Sequence, residues 1–145
     1  MPLILDRKEL DALHQAAAGR RVDLPLLLEA GALALREGRL EDAEDILGGA
    51  LIADPARAAT WCLAGKVEEA MGAVDRAEQA YRAAIEIDEH APAALALANL
   101  LAGLGRYEEA EALASWLALE GNDSELRKKA SVLEKQIETR RSPRS

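Results

Sequence analysis

Few side chains in this chain are of types that do chemistry. Its two histidines are His14 and His90. A transition-metal site wants imidazoles and thiolates at short, regular spacing, as in two histidines four apart on one helix face. His14 and His90 are on different elements and belong to no such cluster, so no metal is predicted. Cys62 is the only cysteine. This excludes an intrachain disulfide, and a thiol nucleophile would need a base that spacing does not supply. The position of Cys62 in an apolar helical stretch predicts a buried structural thiol. Gly103-Leu104-Gly105 is faintly glycine-rich but sits in the turn of the repeat described below, which explains it, and no nucleotide or nucleophile-elbow motif is present. The carboxylates run along helix surfaces, as in Glu41-Asp42-Ala43-Glu44-Asp45, the pattern of a solvated face. The chain therefore reads as a protein that is not an enzyme and needs no cofactor.

The bulk composition narrows the partners. Half of the 145 residues are apolar, but Ala and Leu dominate, Phe is absent and Trp and Tyr supply two each. Such a core suits closely packed helices. The formal net charge of −8 repels phosphate backbones and anionic lipid, so neither nucleic acid nor membrane is a predicted partner. Arg140, Arg141 and Arg144 read as a solvated, frayed end. The apolar run Pro2-Leu3-Ile4-Leu5 is too short for a signal-peptide core, and no run approaches the roughly 20 residues that span a bilayer. A cytoplasmic location is expected.

A repeat organises these residues. Gly38-Arg39-Leu40-Glu41-Asp42-Ala43, Gly72-Ala73-Val74-Asp75-Arg76-Ala77 and Gly105-Arg106-Tyr107-Glu108-Glu109-Ala110 align at shifts of 34 and 33 residues. The register extends outward. Leu27, Gly31, Ala43, Leu47 and Ala50 match Trp61, Gly65, Ala77, Tyr81 and Ala84, then Ala94, Ala98, Ala110, Ala114 and Leu117. The expected helices are 6–18, 24–37, 40–53, 57–71, 74–88, 92–104, 107–120 and a last one ending near Arg141. Asp6 with Glu9 forms a capping box, and Gly121-Asn122-Asp123-Ser124 stops one helix and caps the next. In the last helix Leu126, Ala130, Leu133 and Ile137 make one stripe, which reads as the cover of an exposed core end. Gly48-Gly49 fall inside a helix at a cost of about 1 kcal/mol each.

This pattern resembles the tetratricopeptide repeat: a large apolar residue, a small one four later, glycine in the turn, then alanine, an aromatic and alanine. The resemblance implies an all-α solenoid of three helix pairs with an extra N-terminal helix and a C-terminal capping helix. It would form a single domain over 1–145: N-terminal helix 6–18, repeats 24–57, 58–90 and 91–122, and C-terminal helix 123–141. Gly31, Gly65, Ala43 and Ala77 are then small where helices cross closely, and Gly38, Gly72 and Gly105 take the positive φ that ends each first helix. Pro55 closes the first repeat, while Glu89 stands where the second would have proline. Ala58 reads as a loop-start position that tolerates larger side chains.

Carried over position by position, the repeat register implies a concave groove lined by Leu28, Ala32 and Leu35, by Cys62, Lys66 and Glu69, and by Leu95, Asn99 and Ala102. Such a surface suits an extended peptide or protein client. The basic clamp of repeats that hold chaperone C-termini would need Lys and Asn where this chain has Leu28 and Ala32, so that use is disfavoured. A narrower resemblance, carried by Glu69-Ala70-Met71-Gly72, Asp75, Ala77, Tyr81, Ala84, Asp88, Pro92, Gly105 and Glu109-Ala110-Glu111-Ala112, is to the class II chaperones of bacterial type III secretion. It implies a cytoplasmic chaperone for a hydrophobic secreted translocator. It also implies a homodimer through Leu3, Ile4, Leu5, Leu10 and Leu13. A needle-subunit chaperone and a scaffold for folded partners are the alternatives.

Overall fold

The computed structural model describes Arg7, Lys8 and residues 23–141, and every regular element among them is helical. Between residues 23 and 141 there are seven helices: α1 (Leu24–Arg36), α2 (Leu40–Ala53), α3 (Ala58–Ala70), α4 (Val74–Asp88), α5 (Ala91–Gly103), α6 (Tyr107–Glu120) and α7 (Ser124–Arg141). Each lies within two residues of its expected bounds. Arg7 and Lys8 are helical; the rest of the N-terminal helix expected at 6–18 lies outside the described residues.

The local causes are visible at the helix ends. Asp23 caps α1 by accepting from the Leu26 amide at 3.2 Å, and Pro25 sits in the first turn, where no amide partner is lost. Asp123 caps α7 through the Glu125 amide at 2.8 Å. The first helix of each pair ends in the same way. Gly38, Gly72 and Gly105 have φ of 75°, 81° and 80°. The following amides, on Arg39, Ala73 and Arg106, reach back to the carbonyls of Ala34, Glu68 and Leu101 at 2.8, 2.8 and 2.9 Å. These are three copies of one left-handed helix stop, and glycine is there because a Cβ would be strained by the backbone alone. Glu89 takes the left-handed region too, at φ 56°, which ends α4 without a proline, and Pro92 then sits in the first turn of α5. The turn between α2 and α3 is tied differently: Asp54 accepts from the Ala56 amide at 3.1 Å, and the Trp61 indole donates to the Pro55 carbonyl at 2.7 Å.

The chain divides into two compact units, residues 1–80 and 81–145. In the first, α1, α2 and α3 pack around Leu27, Ala30, Ala34, Ala43, Ile46, Leu47, Ala50 and Val67. The crossing of α1 and α2 is close. A Cβ on Gly31 would stand 2.9 Å from Leu47 Cδ2, so the small residue expected there is required. In the second unit α5, α6 and α7 close over Ala94, Leu117 and Ala130, with Ile85, Leu95, Leu113 and Trp116 against them. The stripe of α7 is spent here: Ala130, Leu133 and Ile137 are buried and Leu126 is half-buried. Ser115 donates to Glu134 at 2.7 Å, which ties α6 to α7. Gly121 is needed at the bend between them, because a Cβ would meet the Leu117 carbonyl oxygen at 2.5 Å.

Two expectations are corrected, and the two glycines inside α2 are told apart. Ala58 is the first residue of α3 and is 4% exposed, so it has no room for a larger side chain; the exposed position beside it is Ala59. Arg140 and Arg141 are helical, and Arg141 pairs with Glu111 at 3.1 Å and Glu108 at 3.5 Å, so this end of α7 is anchored on α6 and not frayed. Arg144 lies outside the described residues. At Gly48 a Cβ would meet nothing within 4 Å, so close packing does not explain that glycine, whereas Gly49 is buried.

Two stability outcomes follow. Ala77 is fully buried in α4, so Ala77→Leu should overpack and lower stability by about 1–3 kcal/mol in urea unfolding, while Ala59→Leu changes it little. Gly48→Ala should raise stability by about 0.5–1 kcal/mol in the same assay, because it removes backbone freedom from the unfolded chain without a clash in α2.

Candidate functional site

In each unit the first helices of the pairs turn a mixed apolar and polar face away from the core. In the first unit that face is on α1 and α3. Leu28, Ala32 and Leu35 are half-buried; Leu28 and Leu35 lean on the core, as do Leu63 and Ala64 of α3. Lys66 and Glu69 are exposed. Cys62 is only 5% exposed, so it offers little surface and sits behind the face. Burial pushes its thiol pKa up, and the Lys66 ammonium pulls it back only in part; the thiolate is scarce at neutral pH.

In the second unit α5 brings Leu95 and Asn99 together one turn apart. Leu95 is half-buried and packs on the core. Asn99 is exposed, and its amide nitrogen donates to the Leu95 carbonyl at 3.1 Å. That bond fixes the side chain and leaves the amide oxygen as an acceptor. Ala102 is 2% exposed and belongs to the interior. Leu95 and Asn99 face α7 across a groove of about 320 Å³. Leu133 is covered at its base, and Val132, Lys128, Lys129 and Gln136 are exposed around it. Of these α7 residues only Leu133 was legible in the sequence, as part of the core-covering stripe; Lys128, Lys129, Val132 and Gln136 were not. Their signal was the polar side of a helix that had been assigned to covering the core, and its cations were the only hint.

Leu3, Ile4, Leu5, Leu10 and Leu13, expected as dimer contacts, lie outside the described residues, as does His14. His90 occupies the N-cap position of α5 without a side-chain cap bond, its Nδ1 3.7 Å from Asp88 Oδ1. Among the described residues no group of three or more His, Cys, Asp or Glu could hold a metal ion, and no helix is long and apolar enough to cross a membrane.

One perturbed carboxylate lies behind the α3 face. Glu68 is mostly covered, its Oε2 accepts no hydrogen bond, and Arg76 Nε is 3.5 Å from that oxygen. Burial raises its pKa most, a hydrogen bond with the Glu44 carboxyl adds to the rise, and Arg76 opposes it.

Residues 58–90 match the tetratricopeptide repeat family, and the described residues have the all-helical tetratricopeptide-repeat fold. Three solved structures illustrate the likeness. One is the type III secretion chaperone SycD of Yersinia enterocolitica in complex with a peptide of the translocator YopD. It has a TM-score of 0.72 and 22% identity, over 82% of this chain and 95% of that one. PcrH in complex with the chaperone-binding region of PopD has a TM-score of 0.68 and 18% identity, over 98% and 100%. The tetratricopeptide-repeat domain of Arabidopsis OM64 has a TM-score of 0.70 and 23% identity, over 88% and 98%. No curated protein matches the sequence.

The Glu68 geometry has a testable sign. A carboxyl whose pKa is raised in the fold favours the folded state when protonated and opposes it when charged. The penalty grows as pH rises from the ordinary carboxyl range through the raised value. Glu68→Gln should therefore raise the Tm at pH 7, and the difference from the parent should vanish below about pH 4. Thermal melts between pH 3.5 and 8 read this directly.

Proposed function

We propose that this protein is a non-catalytic chaperone that binds an extended, hydrophobic segment of a client protein along the first-helix faces of its repeats. The client class best supported is a secreted translocator of a type III secretion system, held in the cytoplasm before export. The observation that carries this reading is the pairing of apolar and polar positions on α1, α3 and α5. Leu28, Leu35 and Leu95 are only half-covered in the free chain, with Lys66, Glu69 and Asn99 exposed beside them. Alternating apolar sockets and polar anchors suit an extended peptide, whose side chains supply specificity. Cys62 would support the α3 face from behind and Ala102 the α5 face, and Ala32 would leave room for a client side chain. The likeness to SycD and PcrH, each solved with a translocator segment, points to the same client class.

Affinity purification of the tagged chain from its native cell, followed by mass spectrometry, should recover one secreted protein with long apolar stretches. Recovery of several folded soluble proteins instead would favour a scaffold. With the client in hand, calorimetry on variants tests the surface. Leu95→Asp and Leu28→Asp place a charge in an apolar contact and should weaken binding roughly a hundredfold. Glu44→Lys, on α2, should leave it intact. Circular dichroism must show the parent helicity for each variant. Lys66→Glu, at an exposed position, tests the α3 face should Leu28→Asp unfold.

A further inference from the structure

The α5–α7 groove carries a charge pattern at odds with the rest of the molecule. The chain is net −8. Yet α7 holds Arg127, Lys128, Lys129, Lys135, Arg140 and Arg141, a third of the chain's 18 Lys and Arg, against Glu125, Glu134 and Glu138. Arg141 is paired with α6. Lys128 and Lys129, which border the groove, form no ion pair among the described residues. Leu95, Asn99, Leu133 and Val132 line the same groove, and Val132 is 55% exposed. A valine this open, on a helix whose other apolar stripe is fully used, is not there to cover the core. Lys128 and Val132 also border the opening on the other side of α7, with Arg127 and Ser131, so the cationic edge continues across the helix.

Resting on the peptide-binding reading above, we infer that the α5–α7 groove selects a client segment in which an apolar side chain is flanked by carboxylates. The apolar side chain would lie on Leu95, Leu133 and Val132. Carboxylates on either side would meet Lys128 and Lys129, and the free Asn99 amide oxygen would accept a backbone N–H of the segment. Opposite charge at this groove also favours encounter, because elsewhere the acidic surface repels an acidic segment.

The test uses the full chain and three fluorescein-labelled nine-residue peptides. All share a central leucine, flanked on each side by aspartates, asparagines or lysines. Anisotropy at low salt should rank them aspartate, asparagine, lysine, with about a fivefold to tenfold gap between the first two. That gap should close in 0.5 M salt. The Lys128→Glu/Lys129→Glu variant should reverse the order, and Val132→Asp should abolish binding of the aspartate peptide. Amide shifts in ¹⁵N spectra should change at Leu95, Asn99, Lys128 and Val132. Equal affinity for the three peptides, or an order that survives charge reversal, overturns the inference. So do shifts confined to α1 and α3, though these leave the chaperone reading standing. Absence of binding by every peptide, with Val132→Asp lowering the sedimentation coefficient of the free protein, would assign the groove to a second copy of the chain and overturn it. Absence of binding with no such change also overturns it. Whether the client of the preceding experiment still binds then decides the chaperone reading separately.

Discussion

Two helices approach closely where their facing side chains are small or missing, and in the first unit Gly31 is such a place. A single methyl there would collide with Leu47. With no phenylalanine in the chain, the interior is filled by short contacts between alanine faces, and Ala43, Ala77, Ala84, Ala94, Ala110 and Ala114 have no exposed surface. Closely packed interiors tolerate little change of volume. The stop that precedes each second helix depends on the same economy. The positive φ of Gly38, Gly72 and Gly105 turns the chain sharply enough for the following helix to pack against the one just ended.

That packing shapes the surface proposed as the client site. The first helices bury part of their large residues, such as Leu27 and Leu97, and leave others half-covered. Leu28, Leu35 and Leu95 are held by core neighbours along one edge and open along the other. They are therefore pre-positioned, and little conformational freedom remains to be lost when a peptide docks. The polar groups beside them are fixed in part: Asn99 by its bond to Leu95, and the start of α3 by the bond from Trp61 to Pro55.

What could be read from the sequence divides along physical lines. The glycine stops and the cap at Asp123 are local, so residue type alone announced them. The repeat register then located Ala77 and Gly31 at buried, tight positions. Burial that depends on neighbours distant in the chain was harder to see. Ala102 shares a register with open positions and yet is covered; Cys62 carried two readings, groove lining and buried thiol, and it is the burial that is found. Ala58 looks like a loop residue until α3 is seen to begin on it. Arg141 gains order only because Glu108 and Glu111 on α6 lie beneath it. The α5–α7 groove is the clearest case. Leu95 and Val132 are far apart in sequence, and only the packing of α7 brings them to one opening.

The central claim is that client segments lie on first-helix faces. Photocrosslinking tests it most directly, with p-benzoylphenylalanine placed one site at a time at exposed positions that leave the core untouched. Lys66, Glu69 and Asn99 sample the first helices; Glu41, Gln79 and Glu108 sample the second. The account predicts crosslinks to the co-purified client from the first set and none from the second. Crosslinks from Glu41, Gln79 and Glu108 alone would contradict it.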